Sequence, residues 1–253
     1  MDDYKNHIMD DILIAFSLLS RLPVPVDHEL AGKRAAFATW AYPVVGLVLG
    51  LIAGIIGTIL HWFGAPAGIA AIAALGSLAI LTGGMHEDGL ADCADGFGGA
   101  MEKDQRLTIM KDSRIGAFGA IALVLFIMAR ASSMDSLIHL SFIAPLMAVG
   151  AASRLPMILA MYAMPNAREG GLSQSIGTPP ETAIGIAITL TLVICFICIG
   201  WAGIFVFAWA MIAAGVMAIL AHKAIGGQTG DVLGAMQQWA EVGALGAAIA
   251  ALT

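Results

Sequence analysis

The chain has 253 residues, of which 59% are hydrophobic and 12% are charged, with a net charge of −6. Soluble domains carry about 25% charged residues, so this composition, with a mean hydropathy of +0.88, excludes an ordinary water-soluble protein. The acidic balance argues against nucleic acid as a partner, which would favour a basic face. An N-terminus with Asp2 and Asp3 is also not typical of a cleaved signal peptide.

A helix needs about 20 residues to cross a bilayer. Seven apolar stretches come close to this length. Their predicted bounds are 37–61, 66–84, 115–134, 137–162, 183–201, 203–222 and 232–252. A shorter apolar segment, 8–20, predicts an interfacial or re-entrant helix. The sequence therefore predicts an all-α, polytopic integral membrane protein, with residues 1–253 forming a single transmembrane catalytic domain.

Apart from Arg130 and Arg154, which lie within spans, lysine and arginine residues occur only in alternate connections between these predicted spans. They precede the first span and occupy the loops 85–114, 163–182 and 223–231. The opposite connections, around Gly64, Asp135 and 200–203, hold none. Because basic loops stay in the cytoplasm, we expect a multi-pass protein of the cytoplasmic (inner) membrane whose chemistry faces the cytoplasm.

An acidic motif lies beside one of the predicted spans, in the segment GGMHEDGLADCADGFGG at 83–99. Asp88, Asp92 and Asp95 are spaced i, i+4, i+7, which places them within roughly a 60° arc of one helix face. Converging carboxylates repel one another unless a cation holds them together. Oxygen ligands without a Cys or His pair suit Mg²⁺, with Mn²⁺ as an alternative. The motif predicts a divalent-metal site rather than solvated loop acids.

Cationic residues on the same side of the membrane are candidates for binding a phosphorylated substrate. Mg²⁺ usually completes its coordination shell with water and substrate phosphates. Lys111, Arg114 and Arg168 could serve this role, or could each be an ordinary cytoplasmic anchor. Arg154 lies within an apolar span, where an arginine is costly and is usually functional or paired. We predict that it reaches the metal-bound phosphate, with neutralisation of an acid as the alternative.

The general base has two candidate sources in the same segment. His86 can titrate near neutral pH, although on a continuous helix it would point away from the aspartate face. Asp92 or Asp95 could instead deprotonate an attacking hydroxyl whose pKa a metal lowers. Arg130, toward the outer end of its span, is predicted to snorkel or to pair with Asp135.

A ladder of small residues runs along the first predicted span. Gly46, Gly50 and Gly54 recur every fourth position, which lets helices approach closely. This face could pack against another helix of the same chain, or it could form a homo-oligomer contact.

Three segments together resemble one enzyme family. They are GGMHEDGLADCADGFGG at 83–99, RLTIMKDSRIGAFG at 106–119 and GGQTGDVLGA at 226–235. FSLLSRLPVP at 16–25 and AREGGL at 167–172 are similar to that family too. The chain thus resembles cobalamin synthase, the adenosylcobinamide-GDP ribazoletransferase family, over nearly its whole length.

The resemblance implies a Mg²⁺-dependent membrane enzyme at the last stage of vitamin B12 nucleotide-loop assembly. A ribose hydroxyl of α-ribazole, or of its 5′-phosphate, would attack adenosylcobinamide-GDP, giving adenosylcobalamin, or its phosphate, and GMP. The implied metal and diphosphate ligands are Asp88, Asp92 and Asp95, and the implied substrate-binding residues are Lys111, Arg114 and Asp231.

Two other functional classes also use acids in membrane proteins. An intramembrane prenyltransferase holds Mg²⁺-diphosphate, but it normally needs two comparable acidic motifs, and GGQTGD supplies one acid. A transporter would use the aspartates as a coupling-ion site, but such acids lie near the bilayer midplane. Acids in a glycine-rich segment at the cytoplasmic boundary favour catalysis on a soluble substrate.

Overall fold

The computed structural model describes residues 7–253, so Asp2 and Asp3 of the acidic N-terminus lie outside the described residues. The helices are α1 (Ile8–Leu19), α2 (His28–Ala38), α3 (Tyr42–Trp62), α4 (Ala67–Thr82), α5 (Met85–Gly99), α6 (Lys103–Ile109), α7 (Ala117–Ile138), α8 (Ile143–Ala163), α9 (Leu172–Ile176), α10 (Glu181–Ile199), α11 (Ala202–Ile225) and α12 (Gly230–Leu252). No strand occurs within 7–253, and the predicted all-α class is confirmed.

Each of the seven predicted spans is a helix, but not every one has the composition of a membrane span. Within 7–253, five helical segments are long and apolar enough to cross: His28–Trp62, which joins α2 to α3, and α7, α8, α10 and α11. The α4–α5 pair would be a sixth. α12 is not among them; Gln237, Gln238 and Glu241 are buried along its length. The multi-pass architecture is thus confirmed, with five to six spans by length and composition.

Two adjacent glycines break the helix that leads into the acidic motif. Gly83 and Gly84 both adopt the left-handed conformation, with φ of 68° and 70°, which glycine reaches without steric cost. α4 therefore ends at Thr82 and α5 leaves it at an angle of 88°. As a result, the acidic segment forms its own helix across the end of the bundle instead of continuing the span.

The glycine ladder of α3 is used inside the chain. Gly46 lies so close to Gly150 of α8 that a Cβ on either would overlap the other's carbonyl oxygen. Gly50 and Gly54 meet Leu146 and Ile143 of the same helix. Small residues permit such a close approach of two helices. Because α8 already covers this face, it is not available for the homo-oligomer contact that the sequence left open.

Helix α12 lies at the centre of the bundle, in contact with α5, α7, α8 and α11. Most of its side chains are buried, and many are alanine or glycine. Large apolar side chains instead point outward from the surrounding helices, as with Leu125 and Met128 of α7 and Phe205 of α11. An exposed apolar belt of this extent fits a lipid environment.

The connections separate into two groups at opposite ends of the bundle. At one end, the Arg106 guanidinium donates to the Ala224 carbonyl at 2.8 Å and the Ala167 amide donates to the Gln228 carbonyl at 2.9 Å. At the other end, the His61 and His139 rings lie 5.8 Å apart. The basic loops thus gather at the end that carries α5, as the alternation of charge along the sequence predicts.

Candidate active site

The predicted aspartate face exists and lies on α5. Asp88 is exposed, whereas Asp92 and Asp95 are half-buried. The Asp92 carboxylate is close enough to those of Asp88, Asp95 and Asp231 to be repelled by all three. The helical spacing therefore brings the trio together, and α12 adds a fourth acid.

Asp231 joins this face because α5 and α12 touch at their N-terminal ends. A Cβ on Gly89 would overlap the backbone of Asp231, so only glycine permits the approach. Asp231 follows Thr229, whose side chain caps α12 by accepting a hydrogen bond from the Val232 amide. The contact between α5 and α12 therefore places Asp231, which the resemblance implies in substrate binding, beside the trio.

Arg168 supplies positive charge to this acidic cluster. Its Nη2 donates to Asp231 Oδ2 at 3.2 Å. Its Nη1 is buried and has no hydrogen-bond partner among residues 7–253. A buried, unpaired guanidinium nitrogen is costly, and it is a donor suited to a phosphate oxygen.

Asp95 differs from its two neighbours because its carboxylate already has partners. Oδ2 accepts a hydrogen bond from the Gly116 amide at 2.7 Å, and Oδ1 accepts one from the Gly119 amide at 2.8 Å. By contrast, no hydrogen bond or ion pair within 7–253 engages the side chain of Asp88 or Asp92. The trio therefore divides into one engaged carboxylate and two that are free.

The donor chemistry of the cluster fits a hard divalent cation. Carboxylate oxygens are the ligands that Mg²⁺ prefers, and Asp88 and Asp92 keep theirs free. Within 7–253, no three His, Cys, Asp or Glu side chains stand close enough together to hold a metal ion as they are. The predicted site thus has suitable ligands in a shared region, with Asp95 turned toward α7.

Lys111 and Arg114 are exposed in the loop between α6 and α7. Arg114 Nη2 lies 2.6 Å from Asp112 Oδ2, and this guanidinium lowers the pKa of the Asp112 carboxyl to about 2. Among residues 7–253, no hydrogen bond or ion pair joins the side chain of Lys111 or Arg114 to an aspartate of α5. The loop nevertheless ends at Gly116, which is bonded to Asp95.

A different face of α5 enters a second, buried set of charges. Arg130 of α7 is 2% exposed; its Nη1 lies 2.7 Å from Glu87 Oε1 and its Nη2 lies 2.9 Å from Glu241 Oε1. The prediction that Arg130 snorkels or pairs with Asp135 is wrong. Arg130 is buried where α5, α7 and α12 meet, and there it pairs with Glu87 and Glu241 instead.

Arg154 and His86 belong to this buried set as well. Arg154 Nη1 donates to Ser153 Oγ at 2.9 Å and lies 3.9 Å from Glu241 Oε2. His86 is buried near Arg154, Arg130 and Glu241, and no partner within 7–253 satisfies its Nε2. The structure thus places neither residue with the aspartates; Arg154 follows the alternative in which it neutralises an acid.

Four further residues complete this set and were not predicted from the sequence: Glu87, Gln237, Gln238 and Glu241. Gln238 accepts from Arg130 at 2.8 Å, and Gln237 donates to Glu241 Oε2 at 2.6 Å. An available clue was Glu241 itself, because an acid inside an otherwise apolar helix requires a partner.

Comparisons with known proteins agree on one family. The family model described as cobalamin-5-phosphate synthase matches residues 11–249. A protein of Mesorhizobium japonicum named adenosylcobinamide-GDP ribazoletransferase is 40% identical, over 97% of this chain and 95% of its own length. Proteins with the same name from Bradyrhizobium diazoefficiens and Brucella anthropi are 38% and 40% identical, over 93% and 98% of this chain and 92% and 99% of their own lengths.

No solved structure matches the chain. The family match and the relatives nevertheless cover nearly all of the chain, including α5 and α12, the two helices that carry the four aspartates. The chain therefore belongs to the cobalamin-5-phosphate synthase family, and it is a membrane-embedded transferase of cobalamin biosynthesis.

Proposed function

We propose that this enzyme transfers the phospho-corrinoid of adenosylcobinamide-GDP to a ribose hydroxyl of α-ribazole or of its 5′-phosphate. The products are adenosylcobalamin, or its 5′-phosphate, and GMP. The observation that carries the proposal is the crowding of four carboxylates, one of which is paired with Arg168, at the end of the bundle where the basic loops gather. The names of the relatives support the choice of substrates.

The reaction requires one bond to form and one to break. The ribose oxygen bonds to the phosphorus next to the corrinoid, while the bond from that phosphorus to the bridging oxygen breaks and GMP leaves. The hydroxyl proton passes to a base, for which we propose Asp92, because its carboxylate is free and borders the site. His86 is buried on the other face of α5, which makes it the weaker candidate.

Negative charge builds up on the departing phosphate, and fixed cations that face it lower the barrier. Arg168 is placed for this role because its Nη1 is unpaired and its Nη2 is held by Asp231. Lys111 and Arg114 would meet the more solvent-exposed part of the nucleotide. Arg154 is too engaged in the buried set to join them.

We propose that the enzyme uses Mg²⁺, held by Asp88 and Asp92, with Mn²⁺ as an alternative. When bound, the ion would neutralise the diphosphate and lower the pKa of the attacking hydroxyl. The free oxygens of these two residues and the excess of negative charge around Asp92 support this assignment. Asp95 is the least suited of the predicted trio, because both of its oxygens are already hydrogen-bonded.

The test is a reconstituted assay with the purified chain in detergent or lipid. GMP release from adenosylcobinamide-GDP is expected to require both α-ribazole and Mg²⁺, with a corrinoid product of the mass of adenosylcobalamin. Chelation by EDTA should stop the reaction, and added Mg²⁺ should restore it. GMP release without the acceptor, or at full rate in EDTA, would contradict the proposal.

We also propose that the site faces the cytoplasm from the inner membrane, since the basic loops share its end of the bundle. A cysteine replacing the exposed Gln105 of α6 should react with an impermeant thiol reagent only from the cytoplasmic side. The chain without the added cysteine is the control. Labelling from the outside would reverse the orientation.

A further inference from the structure

Asp95 lies on the acidic face of α5, but its carboxylate is used as a helix cap. Helix α7 begins after Gly116, which has no side chain with which to cap it. The four amides at the start of a helix need acceptors from elsewhere. Asp95 provides them from another helix, through bonds of 2.7 and 2.8 Å to Gly116 and Gly119.

The local sequence is shaped around this contact. A Cβ on Gly116 or on Gly119 would overlap an oxygen of the Asp95 carboxylate. A Cβ on Gly119 would also press on the Ala91 carbonyl of α5. Glycine at both positions therefore lets the start of α7 come within hydrogen-bond distance of α5. The negative charge of Asp95 also suits the positive end of the helix dipole.

The other end of the connecting loop is fixed to the same helix. Met110, at the end of α6, is buried against Gly96, where a Cβ would overlap its side chain. Arg106 further ties α6 to the bundle through the carbonyls of Ala100 and Ala224. The segment 111–115 is thus stretched between two anchors on the second half of α5.

We propose that Asp95 is a positioning residue, which holds the cationic loop 111–115 beside the acidic face and is not itself a metal ligand. This inference rests on the proposed function, because it assigns Lys111 and Arg114 the task of binding the substrate phosphates. Asp95 acts through the loop. Its loss should weaken substrate binding and leave the demand for Mg²⁺ unchanged.

Kinetics of the full chain separate the two roles. Asp95→Asn replaces one of the two accepting oxygens with an NH2 donor and should raise the KM for adenosylcobinamide-GDP about fivefold, as expected for loss of one hydrogen bond. The Mg²⁺ concentration for half-maximal rate should change by less than about twofold, as for an independent site. Asp88→Asn, which removes a proposed ligand, should raise that concentration at least about tenfold. An equal Mg²⁺ effect from Asp95→Asn would overturn the inference.

A second substitution, on α7, disrupts the same contact between Asp95 and Gly119. Gly119→Ala places a methyl group against the Asp95 carboxylate, whereas Gly76→Ala in α4 meets open space and is its matched control. Gly119→Ala should reproduce the KM effect, and the double variant with Asp95→Asn should be no worse than either single change. Multiplying effects would show that the two residues act separately.

Limited proteolysis tests the positioning without relying on catalysis. Trypsin cleaves after lysine and arginine, and Lys111 and Arg114 are exposed in the loop. Cleavage there should be about fivefold faster in Asp95→Asn and in Gly119→Ala, by the same loss of a hydrogen bond, and unchanged in Gly76→Ala. Unchanged cleavage in the first two variants would refute the role of Asp95. An inactive wild-type chain with faster cleavage in these variants would refute only the proposed function.

Discussion

Glu87 and Asp88 are neighbours in the chain, but they enter two different charge clusters on different faces of α5, because successive residues of a helix are about 100° apart. Glu87 is bonded to Arg130, and with Glu241 and Arg154 it forms the buried quartet, two acids with two arginines. Asp88 lies in the acidic cluster, which we define as Asp88, Asp92, Asp95 and Asp231, together with Arg168, which is paired with Asp231.

The difference lies in charge balance and in access. The buried quartet is neutral overall and closed by α5, α7, α8 and α12, so it joins those helices. The acidic cluster has an excess of negative charge and is partly exposed, which costs free energy unless a cation binds. A balanced and buried set holds the fold together, whereas an unbalanced and open set is typical of a functional site.

The largest effect is expected from breaking the buried quartet. Arg130→Gln would leave Glu87 and Glu241 without their main cation in a desolvated site, which costs about 3–5 kcal/mol in the free energy of unfolding. Circular dichroism recorded during unfolding in mixed detergent would measure this change in the free energy of unfolding.

The matched control for Arg130 is an ion pair at the surface. Lys33→Gln removes an exposed partner of Glu29 and should change the unfolding free energy by at most about 1 kcal/mol. If Arg130→Gln were no more destabilising than Lys33→Gln, the quartet would not hold the helices together.

The next effect concerns activity and not stability. Asp92→Asn removes a charge at the centre of the acidic cluster and should lower turnover by about two orders of magnitude or more. Its fold should persist, because relieving repulsion among carboxylates does not destabilise the bundle. The assay is GMP release beside a thermal melt.

Asp104→Asn is the control, since Asp104 is an exposed acid of α6. Near-normal turnover of Asp92→Asn, or an equal loss in Asp104→Asn, would remove Asp92 from the site.

The acidic cluster could be predicted from sequence because its determinants are local. The spacing of Asp88, Asp92 and Asp95 fixes a shared helix face. Alternation of basic loops places Arg168 and Asp231 at the same end, as the structure confirms. What the spacing could not show is that Asp95 faces the start of α7, because that contact spans 24 residues and depends on two glycines.

The buried quartet could not be predicted because its contacts are remote in sequence. Arg130 and Glu241 are 111 residues apart, and their pairing depends on how α7 and α12 pack. The status of α12 was hard to judge for the same reason. Its helix was predicted correctly, but its polar side chains lower its hydropathy. Gln238 accepts a hydrogen bond from Arg130 of α7, whereas Gln237 donates to Glu241 within α12 itself.

The smallest effect is expected from an ion pair with nearly the same geometry as the buried one. Arg114 and Asp112 are 2.6 Å apart, and Arg130 and Glu87 are 2.7 Å apart. Water surrounds the first pair and screens it, so Asp112→Asn should leave the melting temperature unchanged at pH 7.

Acid should affect that surface pair only at the extreme. The pKa of Asp112 falls from 3.8 to about 2, so the carboxylate contributes fully above pH 3.8 and loses its contribution as pH falls toward 2. Because the carboxylate stays ionised over this range, the difference in melting temperature between the unsubstituted chain and Asp112→Asn should stay constant, near zero, from pH 7 down to 5. A drop for Asp112→Asn in that range as large as that for Arg130→Gln would show that distance, and not desolvation, sets the strength of these pairs.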